Sequence, residues 1–465
     1  MTTNKIHGKG FQIGDAFKTA QVHDPKEYLD AVLGAEKLIS KSAHVTKDGI
    51  FWKKEGQTWS RIRQDEIDQS FYSGTAGILY FYLKLYEATK EEQFFHMVQE
   101  GTRYLSLHWS NFLHQSNLFG LPGIEQGIYM GIGGIAMVLD EVYQATEDEQ
   151  AKEASLAIFN YYKTTAKEDE NGVYWTGSTA LAMDGGIILL LLSMNELYQK
   201  EEIRELLVKA ADWYFRQGEE KEGGLEFNGC KNFSSVSWPN YEFGTAGAGF
   251  LLTRLYEVFH EERYLNAAKA CAIYMKSVQV PQKKGYLVPH DVYGPEEEEP
   301  VFFLSSCHGP GGNSKMYWEL YRLTKDAEYL DEIKEMTAGI ESQGAPTKSS
   351  RGFWNTWCFC CGHAGLVHFF IGMYLGTKDR HYYDLARQSA SVIMGEKEEN
   401  EDGTVVWPMA FWRIHPEWIT TDLGYYDGQS GVASSLLELY LLETDRFHWK
   451  RLPDDPFPEE EQHGK

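Results

Sequence analysis

The stretch Gly74-Thr75-Ala76-Gly77-Ile78-Leu79-Tyr80-Phe81-Tyr82-Leu83 joins a Gly-x-x-Gly frame to an apolar segment of helical length. The same arrangement returns six more times along the chain, once in a degenerate form. Because glycine has no Cβ, such a frame lets the backbone turn sharply where a helix opens and lets neighbouring helices approach closely. The frames lie at residues 74–77, 131–134, 183–186, 244–247, 309–312, 362–365 and 428–431.

The spacing of the frames predicts a repeat protein. Their last residues are separated by intervals that range from 52 residues, between Gly134 and Gly186, to 66 residues, between Gly365 and Gly431. Self-similarity at a nearly constant period is typical of stacked supersecondary units. Each unit contains an apolar helix, an amphipathic helix and a loop with hairpin-like pieces such as Gly172-Val173-Tyr174-Trp175. Apolar helices belong inside and amphipathic helices outside, so we expect an all-α fold, an (α/α)7 double-ring toroid.

No linker divides the seven repeats, so we expect one toroid domain over residues 46–450. An N-terminal arm with a first helix, residues 1–45, precedes it. An acidic, proline-rich tail, residues 451–465, follows it, and its composition predicts a frayed segment that carries no site.

Composition and charge narrow the classes of function. The 465 residues are 43% hydrophobic, which is ample for a core, and no apolar run reaches the roughly 18 residues of a membrane-spanning helix. The N-terminus has no apolar segment like that of a secretory signal, so a cytoplasmic location with reduced thiols is expected. The net charge of −24 disfavours nucleic acid as a partner, because it repels phosphate.

If the seven inner helices start on one side of the ring, the residues just before the frames converge on a common mouth. Chemistry is therefore expected at these positions. They are Tyr72 and Ser73, Tyr129 and Met130, Leu181 and Ala182, Glu242 and Phe243, Cys307 and His308, Cys360 and Cys361, and Tyr426 and Asp427.

Two neighbouring repeats place Cys307, His308, Cys360 and Cys361 at equivalent mouth positions. Four soft or borderline ligands at adjacent helix openings suit zinc, and a helix N-terminus favours the thiolate that binds metal. Packing of the cysteines as small apolar side chains, a vicinal disulfide, or a loop-capping role for His308 are the alternatives. The matched placement in two repeats favours the metal site.

The remaining cysteines share no such register, and we expect them to pack in the core. They are Cys230, Cys271 and Cys358.

With these frames and cysteines, residues 74–431 resemble the lanthionine synthetase C-like (LanC-like) family. The resemblance implies a seven-fold double α-toroid that binds zinc through a cysteine of the fifth repeat and a Cys-His pair of the sixth. Cys307 matches the first of these ligands and Cys360 the second, while the family histidine falls on Cys361. The resemblance therefore implies either a three-thiolate site or one completed by His308 or His363.

A second departure concerns acid–base chemistry. The family usually carries a His-Gly pair in the fourth repeat, where this chain has Phe243-Gly244. The acidic residue that the cyclases supply from an early repeat has no clear match, since Thr179 and Gly127 occupy the positions nearest to it. The resemblance therefore implies that the metal half of the site is kept and the acid–base half is altered.

The resemblance implies an enzyme that adds a cysteine thiol to dehydroalanine or dehydrobutyrine. A peptide or a small thiol would be its substrate and a dehydratase-type enzyme its partner. Protonation of the enolate then requires a general acid near the metal, and a purely structural role stays open for each candidate. The candidates are His308, His363, Asp427, Glu242, Tyr426 and Tyr129.

Two other functions remain open. A non-catalytic, zinc-bearing scaffold that binds a peptide or partner enzyme explains Phe243 more simply than a cyclase does. A glycan-processing toroid would use Glu242 and Asp427 as paired carboxylates, but it leaves the cysteine frames unexplained.

Overall fold

The computed structural model describes residues 13–53, 67–114, 121–294, 299–412 and 415–460. Across these residues the chain forms fourteen α-helices with a few short strands, and it confirms the predicted all-α toroid. Residues 1–12 of the predicted arm and residues 461–465 of the predicted tail lie outside the described part. None of the described helices is long and apolar enough to cross a membrane.

Seven buried helices form the inner ring, and each begins inside a frame and is 15 residues long. The residue before six of them is the first glycine of the frame, in extended conformation, and Met183 takes this place in the degenerate repeat. The inner helices are α2 (Thr75–Thr89), α4 (Ile132–Thr146), α6 (Asp184–Tyr198), α8 (Thr245–Phe259), α10 (Pro310–Thr324), α12 (His363–Thr377) and α14 (Gln429–Glu443).

Six amphipathic helices lie outside, each packed against the inner helix that precedes it in the chain. They are α3 (Glu92–His108), α5 (Glu149–Thr165), α7 (Glu201–Phe215), α9 (Glu262–Ser277), α11 (Glu328–Ser342) and α13 (Arg380–Glu396). The first helix of the chain, α1 (Lys26–Lys41), packs against α14 and takes the seventh outer place. The helix expected to precede the toroid is therefore built into its outer ring, because its buried face, which includes Val32 and Ile39, covers α14.

Short antiparallel hairpins follow the outer helices and lead toward the next frame. They pair β1 (Ala43–Thr46) with β2 (Gly49–Trp52), β3 (Lys167–Asp169) with β4 (Gly172–Tyr174), β5 (Glu219–Lys221) with β6 (Gly224–Glu226), β7 (Val280–Pro281) with β8 (Tyr286–Leu287), and β9 (Glu398–Glu399) with β10 (Val405–Val406).

The last glycine of each frame lies where two repeats meet. A Cβ on Gly77 would lie 2.1 Å from the carbonyl oxygen of Phe71 and 2.7 Å from the Cβ of Tyr425, which belongs to the seventh repeat. A Cβ on Gly431 would lie 1.7 Å from the carbonyl oxygen of Tyr425 and 3.1 Å from the Cβ of Phe359 in the sixth repeat. Only glycine fits these contacts, so the frames let each repeat close onto its neighbour.

The expectation of a frayed tail is wrong for residues 451–457, named here the C-terminal segment. Arg451, Leu452, Asp454 and Phe457 are buried. Arg451 donates to Glu438 of α14 at 2.9 Å. The segment runs between inner helices, so its charged side chains meet partners of opposite charge inside the ring and are not solvated.

Candidate functional site

A chain of backbone hydrogen bonds joins all seven frames at the start of the inner helices. The bonds connect seven residues, one from just before each frame, and so place these residues on one circle, as the frame spacing predicts. The N–H of Tyr72 donates to the carbonyl of Tyr129 (2.8 Å), Tyr426 to Tyr72 (2.8 Å), Cys360 to Tyr426 (3.0 Å), Cys307 to Cys360 (3.1 Å), Glu242 to Cys307 (3.0 Å) and Ala182 to Glu242 (3.2 Å).

The predicted thiol ligands lie together on this circle. The thiol of Cys360 interacts with those of both Cys307 and Cys361, and burial, followed by these contacts, raises its pKa well above the ordinary value. The Sγ of Cys361 lies 3.8 Å from that of Cys358. The six cysteines all fall within the described residues and form no disulfide, so the vicinal disulfide is not formed.

A second set of ligand atoms adjoins these thiols. One ligand atom each of Glu242, Cys307 and His308 lies within 4.8 Å of the other two. Burial raises the pKa of Glu242 to about 8, with Cys361 and Asp454 adding to the effect, and it lowers that of His308 well below its usual value. Among the described residues, neither Oε1 of Glu242 nor Nδ1 of His308 has a hydrogen-bond partner. Buried polar atoms without a partner require an explanation, and a bound ion or water is one.

This donor set fits zinc. Thiolate sulfur, imidazole nitrogen and carboxylate oxygen are its usual protein ligands, and three of them with an open position are typical of catalytic sites. The sequence predicts Glu242 only as an acid, whereas the structure also places it among the possible ligands.

Aromatic rings enclose His308. Phe243, which stands where the sequence resemblance leads us to expect a histidine, stacks parallel to the imidazole with ring centroids 5.8 Å apart. The ring of His290 lies 4.5 Å from that of His308, and Trp238 packs edge-on at 5.9 Å. The phenyl ring of Phe243 therefore packs against His308 as an apolar neighbour and offers no group that exchanges protons.

The structure gives His363 a packing role. Its Nε2 lies 2.8 Å from the carbonyl oxygen of Pro346 and its Nδ1 lies 3.4 Å from that of Thr356. Phe17 and Phe353 pack against its ring, and burial lowers its pKa to about 4. Both nitrogens face backbone carbonyls, so the structure does not bring His363 to the thiols as a ligand or an acid.

The other predicted acids lie at the mouth with defined partners. Asp427 accepts a hydrogen bond of 2.6 Å from the hydroxyl of Ser73. The ring of Tyr426 stacks on Tyr72 at 5.1 Å and meets Tyr129 edge-on at 5.3 Å. Burial raises the pKa of Tyr426 well above its usual value, which keeps the phenol protonated.

Two charged residues at the mouth are not predicted from the sequence. Lys315, on the inner helix α10, and Asp454, in the C-terminal segment, line a small cavity together with Cys307 and Glu242. Lys315 could have been predicted from the sequence, because it is a lysine in a helix that is expected to be buried. Asp454 could not, because an acidic residue among prolines is typical of a solvated tail.

Comparisons with known proteins give a family match and similar solved structures. Residues 65–452 match the family model described as lanthionine synthetase C-like protein. The structure of nisin cyclase is 16% identical, with a TM-score of 0.57, over 82% of this chain and 90% of that one. A GH76 α-mannanase from Bacteroides thetaiotaomicron is 15% identical, with a TM-score of 0.47, over 90% of this chain and 99% of that one. A cellobiose 2-epimerase from Bacillus thermoamylovorans is 12% identical, with a TM-score of 0.45, over 90% of this chain and 98% of that one.

At 16% identity the nisin cyclase structure supports the toroid fold alone. The family match covers most of the chain, including every glycine frame and the mouth residues Cys307, Cys360 and Cys361. The chain belongs to the lanthionine synthetase C-like family.

Proposed function

We propose that this protein is a zinc-dependent enzyme that activates a cysteine thiol for addition to a dehydroamino acid, as in the cyclisation of a peptide through a lanthionine-type thioether. The observation that carries the proposal is the meeting of Cys307 and Cys360 at one mouth, beside donor atoms of Glu242 and His308 that have no hydrogen-bond partner among the described residues. Membership of the LanC-like family supports it.

Cys307 and Cys360 would hold the zinc, with Cys361 or His308 as third ligand. When bound, the metal supplies Lewis acidity, which lowers the pKa of a coordinated thiol so that it can react as the thiolate. The ligands are buried, so the surrounding side chains exclude water from the reacting sulfur.

Side chains of the protein are assigned the proton transfer that completes the addition. Addition forms a bond between sulfur and the β-carbon of the dehydroamino acid, and the α-carbon then takes up one proton, which balances the proton lost from the thiol. Glu242 and Tyr426 border the same cavity as Cys307, which supports them as the donors of that proton. We place the reaction in the cytoplasm, with a dehydratase-type enzyme supplying the dehydrated peptide.

Phe243 favours a second candidate function. Its phenyl ring packs against His308 at the position where the family resembled usually has a proton-handling histidine. A zinc-bearing scaffold that binds a peptide or a partner enzyme without chemistry would tolerate this substitution. Thiol addition separates the two functions, because only the enzyme consumes the thiol.

The test uses a peptide that contains one cysteine and one dehydroalanine. Cyclisation leaves the mass unchanged but removes the thiol, so mass spectrometry after thiol alkylation counts the open and closed forms. We expect closure by the wild type and by Cys361→His, which restores the ligand pattern of the family. Cys271→Ala, in the outer helix α9, is the matched control for loss of a buried cysteine. Zinc-loaded protein that leaves the thiol intact would contradict the enzyme and favour the scaffold.

A further inference from the structure

Lys315 is a buried cation beneath the candidate metal ligands. Its side chain is 6% exposed, although it belongs to the inner helix α10. A charged group in such a place requires a partner or a function, because burial of an unpaired charge is costly. Its Nζ lies 3.4 Å from Oδ2 of Asp454 and 4.7 Å from the centre of the Tyr241 ring.

Asp454 is held firmly by other groups. Its Oδ2 accepts a hydrogen bond of 2.9 Å from the hydroxyl of Tyr129, and its backbone carbonyl accepts one of 2.8 Å from the hydroxyl of Tyr241. The next residue, Asp455, lies 2.8 Å from Nε2 of His368. The position of the Asp454 carboxylate is therefore fixed by its neighbours. The carboxylate attracts the ammonium of Lys315 through one long contact, and an ammonium has three N–H donors.

The cavity between these groups is small. Its volume is about 10 Å³, and its walls include Cys307, Glu242, Tyr426, Lys315 and Asp454. A space of this size admits about one water-sized group. A single oxygen atom fits it and a whole substrate does not, so the substrate would approach from the mouth and place one oxygen between the Cys307 wall and the Lys315 wall.

We propose that Lys315 is the oxyanion-binding residue of the site and that Asp454 positions it. The inference rests on the proposed function for the identity of the substrate. As the sulfur bonds to the β-carbon, the π electrons of the C=C bond move toward the carbonyl oxygen of the dehydroamino acid. The ammonium of Lys315 donates a hydrogen bond to this oxygen while it becomes negative. A preorganised donor of this kind stabilises the transition state more than the ground state.

The kinetic test compares Lys315→Met with Lys315→Arg. Loss of one oxyanion donor lowers kcat by about 10²- to 10³-fold in known enzymes, and we expect this for Lys315→Met with the KM for the thiol and the zinc content unchanged. Lys315→Arg keeps the charge and recovers part of the rate. Asp454→Asn keeps an acceptor for Tyr129 but loosens Lys315, so its kcat falls to an intermediate value.

A second measurement does not depend on turnover. Iodoacetate and iodoacetamide alkylate a thiol by the same displacement of iodide and differ chiefly in charge, so their rate ratio at Cys307 reports the charge of the cavity. The ratio is followed by mass spectrometry on protein as purified, with its metal content measured. We expect Lys315→Met to lower the ratio of iodoacetate to iodoacetamide rates by about tenfold, as the loss of a nearby positive charge predicts.

The variant Lys315→Met leaves Asp454 buried without its cation, so the double variant Lys315→Met with Asp454→Asn, which removes both charges, is measured beside it. An unchanged alkylation ratio in both variants overturns the proposal. If the wild type adds no thiol but the ratio falls, the anion-binding role stands and the proposed function fails. If the wild type adds thiols and Lys315→Met alters neither kcat nor the ratio, the proposed function stands and the role of Lys315 fails.

Discussion

At the scale of single residues, the third and fourth positions of a frame differ in whether they admit a side chain. The third position tolerates a methyl group, since three frames have alanine there: Ala76, Ala246 and Ala364. The fourth position is glycine in all seven frames. The structure explains the difference, because a Cβ at the fourth position would meet a backbone carbonyl of its own turn and a side chain of the preceding repeat.

The fifth frame allows a matched test of this difference. A Cβ on Gly312 would lie 2.0 Å from the carbonyl oxygen of Ser306 and 2.6 Å from the Cβ of Tyr241, whereas on Gly311 its nearest neighbour is 3.1 Å away. We expect Gly312→Ala to lower the free energy of unfolding by about 3 kcal/mol, the upper range for overpacking. Gly311→Ala is expected to change it by less than about 1 kcal/mol, since alanine also favours the helix. Equal midpoints of urea unfolding for the two variants would contradict this explanation.

The site residues show what sequence can and cannot predict at this scale. Cys307 and Cys360 follow from the repeat register, since equivalent positions in adjacent repeats must be neighbours. The role of His363 does not follow, because its surroundings come from Phe17 and Phe353, which belong to no frame. Asp454 reaches the cavity through a segment with no periodicity at all.

At the scale of elements, the C-terminal segment is the part whose sequence is most misleading. Arg451 and Asp455 are typical of a solvated tail when read alone, and their partners His368 and Glu438 are isolated polar residues in the apolar helices α12 and α14. Together they form one buried cluster. His368 lies 2.8 Å from both Glu438 and Asp455, and Arg451 lies 2.9 Å from Glu438 and 3.2 Å from Asp455.

This cluster makes the stability of the protein depend on pH. Burial alone would lower the pKa of His368, but Glu438 and Asp455 outweigh it and raise the value from 6.5 to about 9. A raised pKa in the folded state contributes stability that is fully present below the unfolded value and is lost as pH rises through the folded one. We therefore expect the free energy of unfolding to fall between about pH 6.5 and 9.5.

The control for this prediction is His368→Gln, which cannot titrate. Urea unfolding of both proteins at several pH values gives the comparison. We expect the wild type to lose its advantage over His368→Gln as pH rises through this range. Parallel pH profiles for the two proteins would show that the histidine carries no linked proton.

At the scale of the whole molecule, the toroid is closed by parts that lie far apart in the chain. The first helix, α1, packs against the last inner helix, α14, and backbone hydrogen bonds link the seventh frame to both the first and the sixth. The repeat count and the inner and outer order follow from the glycine period and the helix patterns. The closure does not, because α1 precedes the first frame and carries no copy of the motif that would assign it to the ring.

The closed ring brings the cysteines of two neighbouring repeats to one mouth, and the proposed function requires a metal ion there. The most direct measurement is elemental analysis of the purified wild type beside Cys307→Ala, Cys360→Ala and the control Cys271→Ala. We predict about one zinc per chain in the wild type and in Cys271→Ala, and loss of zinc in the two mouth variants, because a structural or catalytic zinc requires its thiolates. A wild type without zinc, or full retention of zinc in both mouth variants, would contradict the thiolate site.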